Sequence, residues 1–449
     1  MTSPGIAAGD TAWMLAASAM VLVMVPGLAF FYGGMVRAKS VLNMMMMVFG
    51  ALAVVSVVWV VVGYSLAFGR DIGGGLIGDP WQFLGLRGMI EPIHAGKSVA
   101  SVASGASGMP LPYPRILFAA FEGLFAVVTV ALIAGAIADR ARFGTWLIFC
   151  AIWTVVVYAP VAHWVFDLAS PGRAGGWLVD RIGALDFAGG TAVEINSGAA
   201  GLAAALILGR RVGFGRDPMK PHNLTLVMIG AGLLWFGWFG FNSGSALAAN
   251  GTAAVVFVNT LLSGCTGLLT WLGIERWRDG HATSFGAASG AVAGLVAITP
   301  SCGSVTPVGA MAIGAVAGAA CAAAVGLKYR FGYDDSLDVV GVHLVGGLVG
   351  TILIGLFAAS PVAGVSGLFY GGGIDQLGKQ LLAAGVTLLY SFVVTGLLVW
   401  LLQRTIGFRI DGEHEVTGLD LVIHAESAYD LHVAGARPHF GGGGSGLGR

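Results

Sequence analysis

Long apolar stretches separated by short polar segments dominate the whole chain. An α-helix needs about 20 mostly apolar residues to cross the hydrocarbon core of a bilayer, and eleven windows meet that requirement. They cover residues 11–33, 42–68, 113–138, 142–165, 189–209, 222–242, 253–273, 283–299, 305–327, 339–359 and 379–403. This pattern predicts an all-α polytopic membrane protein with eleven transmembrane helices.

The basic residues between these windows are distributed unevenly. Sixteen of the 23 Lys and Arg residues lie in one alternate set of connecting segments, which ends with the tail after Arg404. Segments on the cytoplasmic side of a membrane carry an excess of Lys and Arg. We therefore expect the N-terminus outside and the C-terminus in the cytoplasm, which agrees with an odd number of spans. The predicted location is the cell (plasma or inner) membrane.

Composition supports a chain that lies mostly in lipid. The chain is 56% hydrophobic and only 10% charged, with a net charge of zero, whereas a soluble domain has about 25% charged residues. No basic tract suggests nucleic acid, and the four cysteines lack metal-type spacing, so we expect neither a metal nor a cofactor. We divide the chain into a membrane domain (1–407), a polar cytoplasmic tail (408–432) and a flexible, linker-like end (433–449).

A short internal echo suggests an inverted repeat. The fifth span begins with "DFAGG" at Asp186, and the tenth begins with "DVVGV" at Asp338. Because the two spans lie five apart in the chain, they enter the membrane from opposite faces. An inverted five-plus-five repeat has this property, and such folds place the substrate path between the halves. We interpret Asp186 and Asp338 as helix caps.

Ionisable side chains at membrane depth are costly and are therefore candidates for function. Four of them stand out, namely Glu122, His163, Glu194 and His343. At 1.5 Å per residue, Glu194 lies about 12 Å beyond Asp186, and His343 about 7.5 Å beyond Asp338. Two helices that run in opposite directions can bring Glu194 and His343 together at mid-depth. The pair then either shares a proton along a narrow path or forms a purely structural hydrogen bond.

An aromatic cluster lies near the predicted outer end of the sixth span. In "WFGWFGFNSGSA" (235–246), the residues Trp238, Phe241 and Ser245 are spaced by three and four and share one helix face. Aromatic faces attract a weakly hydrated cation, and a hydroxyl can accept a hydrogen bond from it. An interfacial aromatic belt is the alternative interpretation.

Taken together, these motifs resemble the ammonium transporter family, which includes the methylammonium permeases and the Rhesus glycoproteins. The resemblance covers about residues 10 to 430. It rests on "PGLAFFYGGMVRAKSVLN" (26–43), "GALDFAGGTAVEINSGAAGL" (183–202), "GRRVGFG" (209–215), "KPHNL" (220–224), "WFGFNSGSA" (238–246), "DVVGVHLVGG" (338–347) and "GLDLVIHAESAY" (418–429).

The resemblance implies a homotrimer in which each subunit has its own hydrophobic pore. Substrate recruitment is then assigned to Ser245, Phe125, Phe166, Asp186 and Trp238, with Asp186 acting from behind its helix. Phe125 and Phe241 are the implied pore gate, and Glu194 with His343 is the implied proton and ammonia path. Asp338 has a structural, helix-capping role. The tail resembles a regulatory segment, and a PII-type signalling protein is an implied partner on the cytoplasmic side.

Two positions depart from the family pattern. Position 194 is usually His in this family but is Glu here, as in some fungal permeases. Position 166, commonly Trp, is Phe in "HWVF" (163–166), and Phe binds cations less well than Trp. We expect the first change to alter how protons accompany the substrate, and the second to weaken cation binding.

The function that the sequence favours is transport of ammonium or methylammonium. In this hypothesis the cation is deprotonated near the outer site, ammonia crosses the pore, and the proton passes along Glu194 and His343. The alternative is a sensor that binds ammonium and signals through its tail with little transport. No catalytic nucleophile with a base is evident, so we do not predict an enzyme.

Overall fold

A computed structural model describes residues 6–90, 93–94, 97–98, 111–170 and 172–429. Eleven apolar helices, labelled α1 to α11, form a bundle in this part of the chain. They are Ala8–Met35, Ala38–Phe68, Arg115–Ala136, Phe143–Phe166, Gly190–Leu208, Leu224–Gly244, Gly251–Asp279, Ser284–Ile298, Pro307–Phe331, Val340–Phe357 and Asp375–Thr405. Ten are long and apolar enough to span a membrane, and α8 (Ser284–Ile298) is a shorter apolar helix. The prediction of an all-α polytopic membrane protein is confirmed.

Shorter elements complete the described structure. Two helices follow the bundle in the tail, α12 (Gly412–Thr417) and α13 (Leu419–His424). Single helical turns cover Leu84–Leu86, Trp177–Ile182, Ser360–Ala363 and Leu368–Tyr370. Two-residue strands, β1 (Ile93–His94) and β2 (Lys97–Ser98), pair antiparallel in the loop before α3.

Four consecutive helices begin at side-chain caps. The side chains of Asn223, Asn250, Thr283 and Thr306 accept hydrogen bonds from the backbone N–H three residues later, at the starts of α6 to α9. Asn and Thr are favoured at this position because they satisfy an N–H group that has no partner inside the helix. These caps set the boundaries that hydropathy alone locates only to within a few residues.

Glycines allow α1 and α6 to pack at backbone distance. A Cβ at Gly230 would lie 2.3 Å from the backbone nitrogen of Phe31, and one at Gly240 would lie 2.7 Å from the carbonyl oxygen of Ala17. In α7, a Cβ at Gly267 would lie 2.6 Å from the carbonyl oxygen of Gly290 in α8. Small residues permit such close helix crossings in membrane bundles.

The loops gather at two opposite ends of the bundle. We call the end that carries the loops at 69–90, 167–189 and 299–306 the vestibule end, and the end that carries α12 and α13 the tail end. Buried ion pairs join the tail-end loops. Arg211 contacts Asp334 at 2.8 Å and Asp139 at 3.3 Å, and Arg37 contacts Asp139 at 2.9 Å. The assignment of the tail end to the cytoplasm remains a prediction.

The tail folds back onto the start of α2. The Asp420 carboxylate accepts hydrogen bonds from the backbone N–H groups of Leu42 at 3.1 Å and Asn43 at 2.8 Å. His222 and the Tyr429 hydroxyl lie 2.8 Å apart and tie the last described residue to the loop before α6. The tail is thus an ordered part of the tail end up to residue 429. A regulatory role for 408–432 is still a prediction, and 433–449 lies outside the described residues.

Candidate functional site

A cavity of about 330 Å³ opens at the vestibule end. Helix α3, the end of α4, the loop at 184–187 before α5, the end of α6 and the loop at 303–304 line it. It is lined by four of the residues that the sequence assigned to recruitment or to the gate, namely Phe125, Phe166, Asp186 and Ser245. Glu122 lines it as well. The structure therefore brings together side chains that lie up to 123 positions apart in the chain. We call this cavity the vestibule.

The carboxylate of Asp186 closes the first turn of α5. It accepts hydrogen bonds from the backbone N–H groups of Gly189 at 2.8 Å, Gly190 at 2.7 Å and Thr191 at 2.7 Å. Gly189 has a φ of 111°, a backbone conformation that residues other than glycine rarely adopt. This geometry agrees with the capping interpretation and places the Asp186 carboxylate in the wall of the vestibule.

The Ser245 hydroxyl is oriented by its own helix. It donates a hydrogen bond to the carbonyl oxygen of Phe241 at 2.9 Å. Because its single hydrogen is engaged there, the lone pairs of the oxygen remain available to accept a hydrogen bond from a molecule in the vestibule. Ser245 is half-buried at the C-terminus of α6, where the partial negative charge of the helix end also favours a cation.

Two stacked phenyl rings close the inner end of the vestibule. The ring centroids of Phe125 and Phe241 are 3.9 Å apart, and the ring planes differ by 15°. Both side chains are buried. The Phe166 ring meets Phe125 edge-on, with centroids 6.3 Å apart. The stack leaves no open channel between the rings, so passage requires one ring to move.

Two small apolar cavities follow below the stack, each of about 10 Å³, which is the space of roughly one water-sized molecule. The upper one is lined by Leu28, Phe31, Glu194, Trp238, Phe241 and His343, among others. The lower one is lined by Phe31, Val342, His343 and Asp338, among others, and lies toward the tail end. Together with the vestibule they mark one path into the helix bundle.

The position of Trp238 corrects the grouping made from sequence. Trp238 is buried, donates its indole N–H to the Thr299 hydroxyl at 2.8 Å, and lines the upper small cavity rather than the vestibule. Its ring contacts Phe241 from below, with centroids 6.2 Å apart. Helical spacing placed Trp238 on the face of Phe241 and Ser245, but it sits two turns deeper than Ser245. Trp238 is therefore a pore-lining residue in our account, not a recruitment residue.

Glu194 and His343 meet inside the bundle. Nδ1 of His343 lies 2.7 Å from Oε2 of Glu194, and both side chains are buried. Each lies on a π-helical turn at the start of its helix, Gly190–Ile195 in α5 and Val340–Leu344 in α10. Such turns widen the helix locally and often occur at functional sites. The two groups therefore meet inside the bundle, as predicted from the sequence.

Two glycines in equivalent positions let α5 and α10 approach. Gly198 follows Glu194 by four residues, and a Cβ there would lie 2.5 Å from the backbone nitrogen of Leu344. Gly347 follows His343 by four residues, and a Cβ there would lie 2.8 Å from Cβ of Glu194. Each helix thus places a glycine against the π-helical turn of the other helix. This reciprocal packing is expected if α5 and α10 are equivalent elements of an inverted repeat.

The cap of α10 is not the residue that the sequence suggested. The carboxylate of Asp335 accepts from the backbone N–H of Val339 at 3.1 Å and of Val340 at 2.7 Å. Asp338 instead pairs with Lys328 at 2.6 Å, and its backbone has a positive φ of 63°. Burial raises the pKa of Asp335 to about 6, although Lys328 opposes the shift. The side-chain capping role passes from Asp338 to Asp335, and Asp338 retains a structural role.

His163, the fourth buried ionisable group, lies outside this path. Its Nδ1 is 2.8 Å from the carbonyl oxygen of Ala67, and its ring lies between Asp71 at 3.6 Å and Asp167 at 3.7 Å. Arg173 in turn donates to Asp167 at 2.7 Å. These contacts join α4 to the vestibule-end loops and indicate a structural role.

The sequence matches the model of the Ammonium Transporter Family over residues 12–429. The chain belongs to this family. The ammonium transporter of Mycobacterium bovis is 56% identical over 95% of this chain and 91% of its own length. The crystal structure of Saccharomyces cerevisiae Mep2 is 38% identical, covers 91% of each chain and has a TM-score of 0.79. A solved sensor Amt protein is 28% identical, covers 92% of this chain and 98% of its own, and has a TM-score of 0.82.

Membership of the ammonium transporter family confirms the resemblance drawn from the motifs. It classes the chain as a transporter or channel rather than an enzyme, and it agrees with a multi-pass protein of the cell membrane. Within the described residues, no group of three or more His, Cys, Asp and Glu side chains is placed to hold a metal ion.

Some residues of the path were not found from the sequence. Phe31 lines both small cavities, but an aromatic residue in an apolar helix carries no distinguishing signal. Asp335 was missed as a cap because "DDSLD" (334–338) offers three carboxylates within five residues. Glu122 was noted as costly at membrane depth but received no role, since nothing in the sequence shows which side of α3 faces the vestibule.

Proposed function

We propose that this chain moves ammonium across the membrane by recruiting the cation in the vestibule and passing ammonia through the apolar path. The observation that carries the proposal is the order of elements along one line. A polar vestibule leads to a stacked aromatic gate, and the gate leads to an apolar chamber with a hydrogen-bonded Glu–His pair. Methylammonium is expected as a second, slightly larger substrate of the same path.

Recruitment relies on several weak attractions that suit a small cation. The faces and edges of Phe125 and Phe166 border the vestibule, and aromatic faces attract a cation by about 0.5–2 kcal/mol each. The Ser245 oxygen supplies a hydrogen-bond acceptor, and the Asp186 carboxylate adds a negative field from behind the first turn of α5. These groups hold ammonium at the mouth of the gate without stripping away all of its hydration.

The gate favours the neutral species over the cation. Below the Phe125–Phe241 stack, the cavities are small and mostly apolar, and moving an unpaired ion into such surroundings costs far more than moving a neutral amine. Ammonia therefore crosses more easily than ammonium, potassium or sodium. We infer that the proton leaves ammonium above or at the gate and travels separately.

The Glu194–His343 pair is suited to carry that proton. A carboxylate paired with a neutral imidazole has a net charge of −1, and gaining a proton brings the pair to zero. Two neutral imidazoles have a net charge of zero, and gaining a proton brings that pair to +1. The pair here is thus the more favourable acceptor of a proton in an apolar chamber. When Nδ1–H of His343 donates to Glu194, the lone pair of Nε2 is left to accept a hydrogen bond from ammonia.

A sensor function is the second candidate. The structural likeness to the sensor Amt protein, at a TM-score of 0.82, supports it, and so does the ordered tail docked on α2. In a sensor, ammonium that binds in the vestibule changes the conformation of the tail, but little ammonia crosses the membrane. The presence or absence of substrate-dependent current separates the two functions.

We also propose a homotrimer and a PII-type partner at the tail end. Both follow from the family resemblance, and the docked tail supplies an ordered surface that such a partner can contact. Native mass spectrometry of the purified protein tests the trimer, and a pull-down with a purified PII protein from the same organism tests the partner.

The direct test uses purified full-length protein in proteoliposomes on a solid-supported membrane. We expect a rapid ammonium concentration jump to give a transient current that saturates, and a matched sodium jump to give none. Protein-free liposomes are the control for passive ammonia leakage. Saturable ammonium binding by calorimetry without current or methylammonium uptake would favour the sensor, and the absence of both would overturn the proposal.

A further inference from the structure

Glu122 is a buried acidic side chain to which the transport scheme gives no role. It lies in the second turn of α3, is only 7% exposed, and lines the vestibule beside Phe125. Its Oε2 atom is buried without a hydrogen-bond partner among the described residues. A buried carboxylate oxygen without a partner is costly, so this site has an energetic reason to take up a ligand.

Other buried carboxylates in the described structure hold firm partners. Asp167 is bound by Arg173 at 2.7 Å, and Glu275 accepts from the backbone N–H of Thr283 at 2.9 Å and from the indole of Trp271 at 3.2 Å. Glu415 accepts from the backbone N–H of Val212 at 2.7 Å. A purely structural acidic residue at position 122 would be expected to show similar contacts. Asp139 also has one oxygen without a partner, but its other oxygen is paired with Arg37 at 2.9 Å. Among the described residues no such ion pair holds Glu122, and this difference points to a ligand from the vestibule.

The position of Glu122 on α3 directs it to the same space as the gate. Phe118, Glu122 and Phe125 are spaced by four and three residues, so they share one helix face, and all three line the vestibule. This face of α3 therefore presents the Glu122 carboxyl to the vestibule beside two phenyl rings.

We propose that Glu122 is a cation-binding residue of the vestibule that holds a small monovalent cation next to the Phe125 ring. The identity of the transported cation as ammonium rests on the proposed function, whereas binding of a monovalent cation at this carboxylate does not. An ionised carboxylate attracts a cation more strongly than a phenyl face does. Glu122 thus adds a carboxylate to a cavity in which Phe166 offers only a modest cation–π surface.

Two measurements test this inference. The first is the ammonium concentration that gives half-maximal current in wild type, Glu122→Gln and Asp375→Asn. Asp375 is an exposed carboxylate at the same end of the bundle and pairs with Lys379 at 2.7 Å, but it does not line the vestibule cavity. Asp375→Asn therefore removes the same charge outside the cavity. We expect Glu122→Gln to raise the half-saturating concentration about tenfold and the saturating current to change less than twofold, with Asp375→Asn unchanged.

The second measurement needs no transport. Crystals of the wild-type protein soaked in caesium chloride should show an anomalous peak within hydrogen-bond or ion-pair reach of the Glu122 carboxylate, and Glu122→Gln crystals should lack it. If wild type gives no ammonium current but shows this peak, the proposed function fails and the inference stands. An absent peak in wild type together with an unchanged half-saturating concentration in Glu122→Gln would overturn the inference. If Glu122→Gln is not monodisperse, Glu122→Asp replaces it, and we expect the caesium peak to move with the shortened carboxylate.

Discussion

Nδ1 of His343 and Oε2 of Glu194 lie 2.7 Å apart where α5 and α10 cross. The contact depends on three features of the chain, namely π-helical turns at both residues, glycines four positions later, and helices that start from opposite ends of the bundle. Its consequence is a polar pair within an otherwise apolar chamber. The function proposed above requires that this pair handles the proton while ammonia passes beside it.

The aromatic gate leads to a prediction about selectivity. Phe241→Ala removes one ring of the stack and leaves the vestibule open to the chamber, so we expect a potassium current that wild type lacks. Because Phe241 is buried, the substitution should also lower stability by about 3–5 kcal/mol. Phe241→Leu, which keeps most of the volume, is the matched control and should remain closed to potassium. A Phe241→Ala protein that folds and still excludes potassium would show that the stack is not the barrier to ions.

Close packing at Gly198 leads to a prediction about the helix crossing. In Gly198→Ala the new Cβ would meet the backbone of Leu344 at 2.5 Å, so α5 and α10 must separate. We expect a lower melting temperature and a loss of at least half of the ammonium current, because the Glu194–His343 contact lengthens. Gly232→Ala in α6 is the control, since no atom lies within 4 Å of a Cβ there. Equal melting temperatures for the two variants would contradict the prediction.

A pH dependence of stability follows from Asp167 at the vestibule end. Burial raises the pKa of Asp167 to about 7, against the opposing effect of Arg173. The unfolded chain has an Asp pKa near 3.9, so between these two values the folded protein binds the proton more tightly. This contribution to stability is therefore full at low pH, falls as pH rises through the window, and is constant above about 7.

The comparison of wild type with Asp167→Asn isolates this contribution. We expect the melting temperature of wild type relative to Asp167→Asn to decrease as the pH is raised from 5 to 7.5, and then to level off. Intrinsic fluorescence during heating provides the measurement. A relative melting temperature that increases with pH would mean that Asp167 is ionised more easily in the folded protein than in the unfolded chain.

Hydropathy and charge predicted most of the fold, because lipid imposes a simple rule on the chain. Apolar windows of sufficient length become helices, and each of the eleven predicted windows overlaps one apolar helix. The exact starts were less predictable, since they depend on side chains such as Asn250 and Thr306, each of which accepts a hydrogen bond from the backbone N–H three residues later. The cap of α10 was equally hard to predict, because three Asp residues lie close together before the helix. Only the hydrogen bonds from Val339 and Val340 identify Asp335 as the cap.

The pore could be predicted only in part. Glu194 and His343 stood out because a charge in an apolar helix is costly wherever it lies. Trp238 and Glu122 were noticed as well, but their positions in the site could not be predicted, since these depend on which side of a helix faces the vestibule and how deep each residue lies. Periodicity relates residues within one helix, but the rotation of that helix against its neighbours is a tertiary property. The gate likewise requires Phe125 of α3 and Phe241 of α6 to meet, and no local pattern relates them.

The most direct test of the central claim compares charge movement with ammonia conduction in Glu194→Gln, which keeps the shape of the side chain but cannot take up the proton. Solid-supported membrane recording gives the current after an ammonium jump, and stopped-flow alkalinisation of the same proteoliposomes gives the entry of ammonia. We predict that the current falls by a factor of about 100, the usual scale for losing a proton-transfer group, while ammonia entry falls less than threefold. A wild-type current in Glu194→Gln, or an equal loss of both signals in a well-folded variant, would contradict a separate proton path through Glu194 and His343.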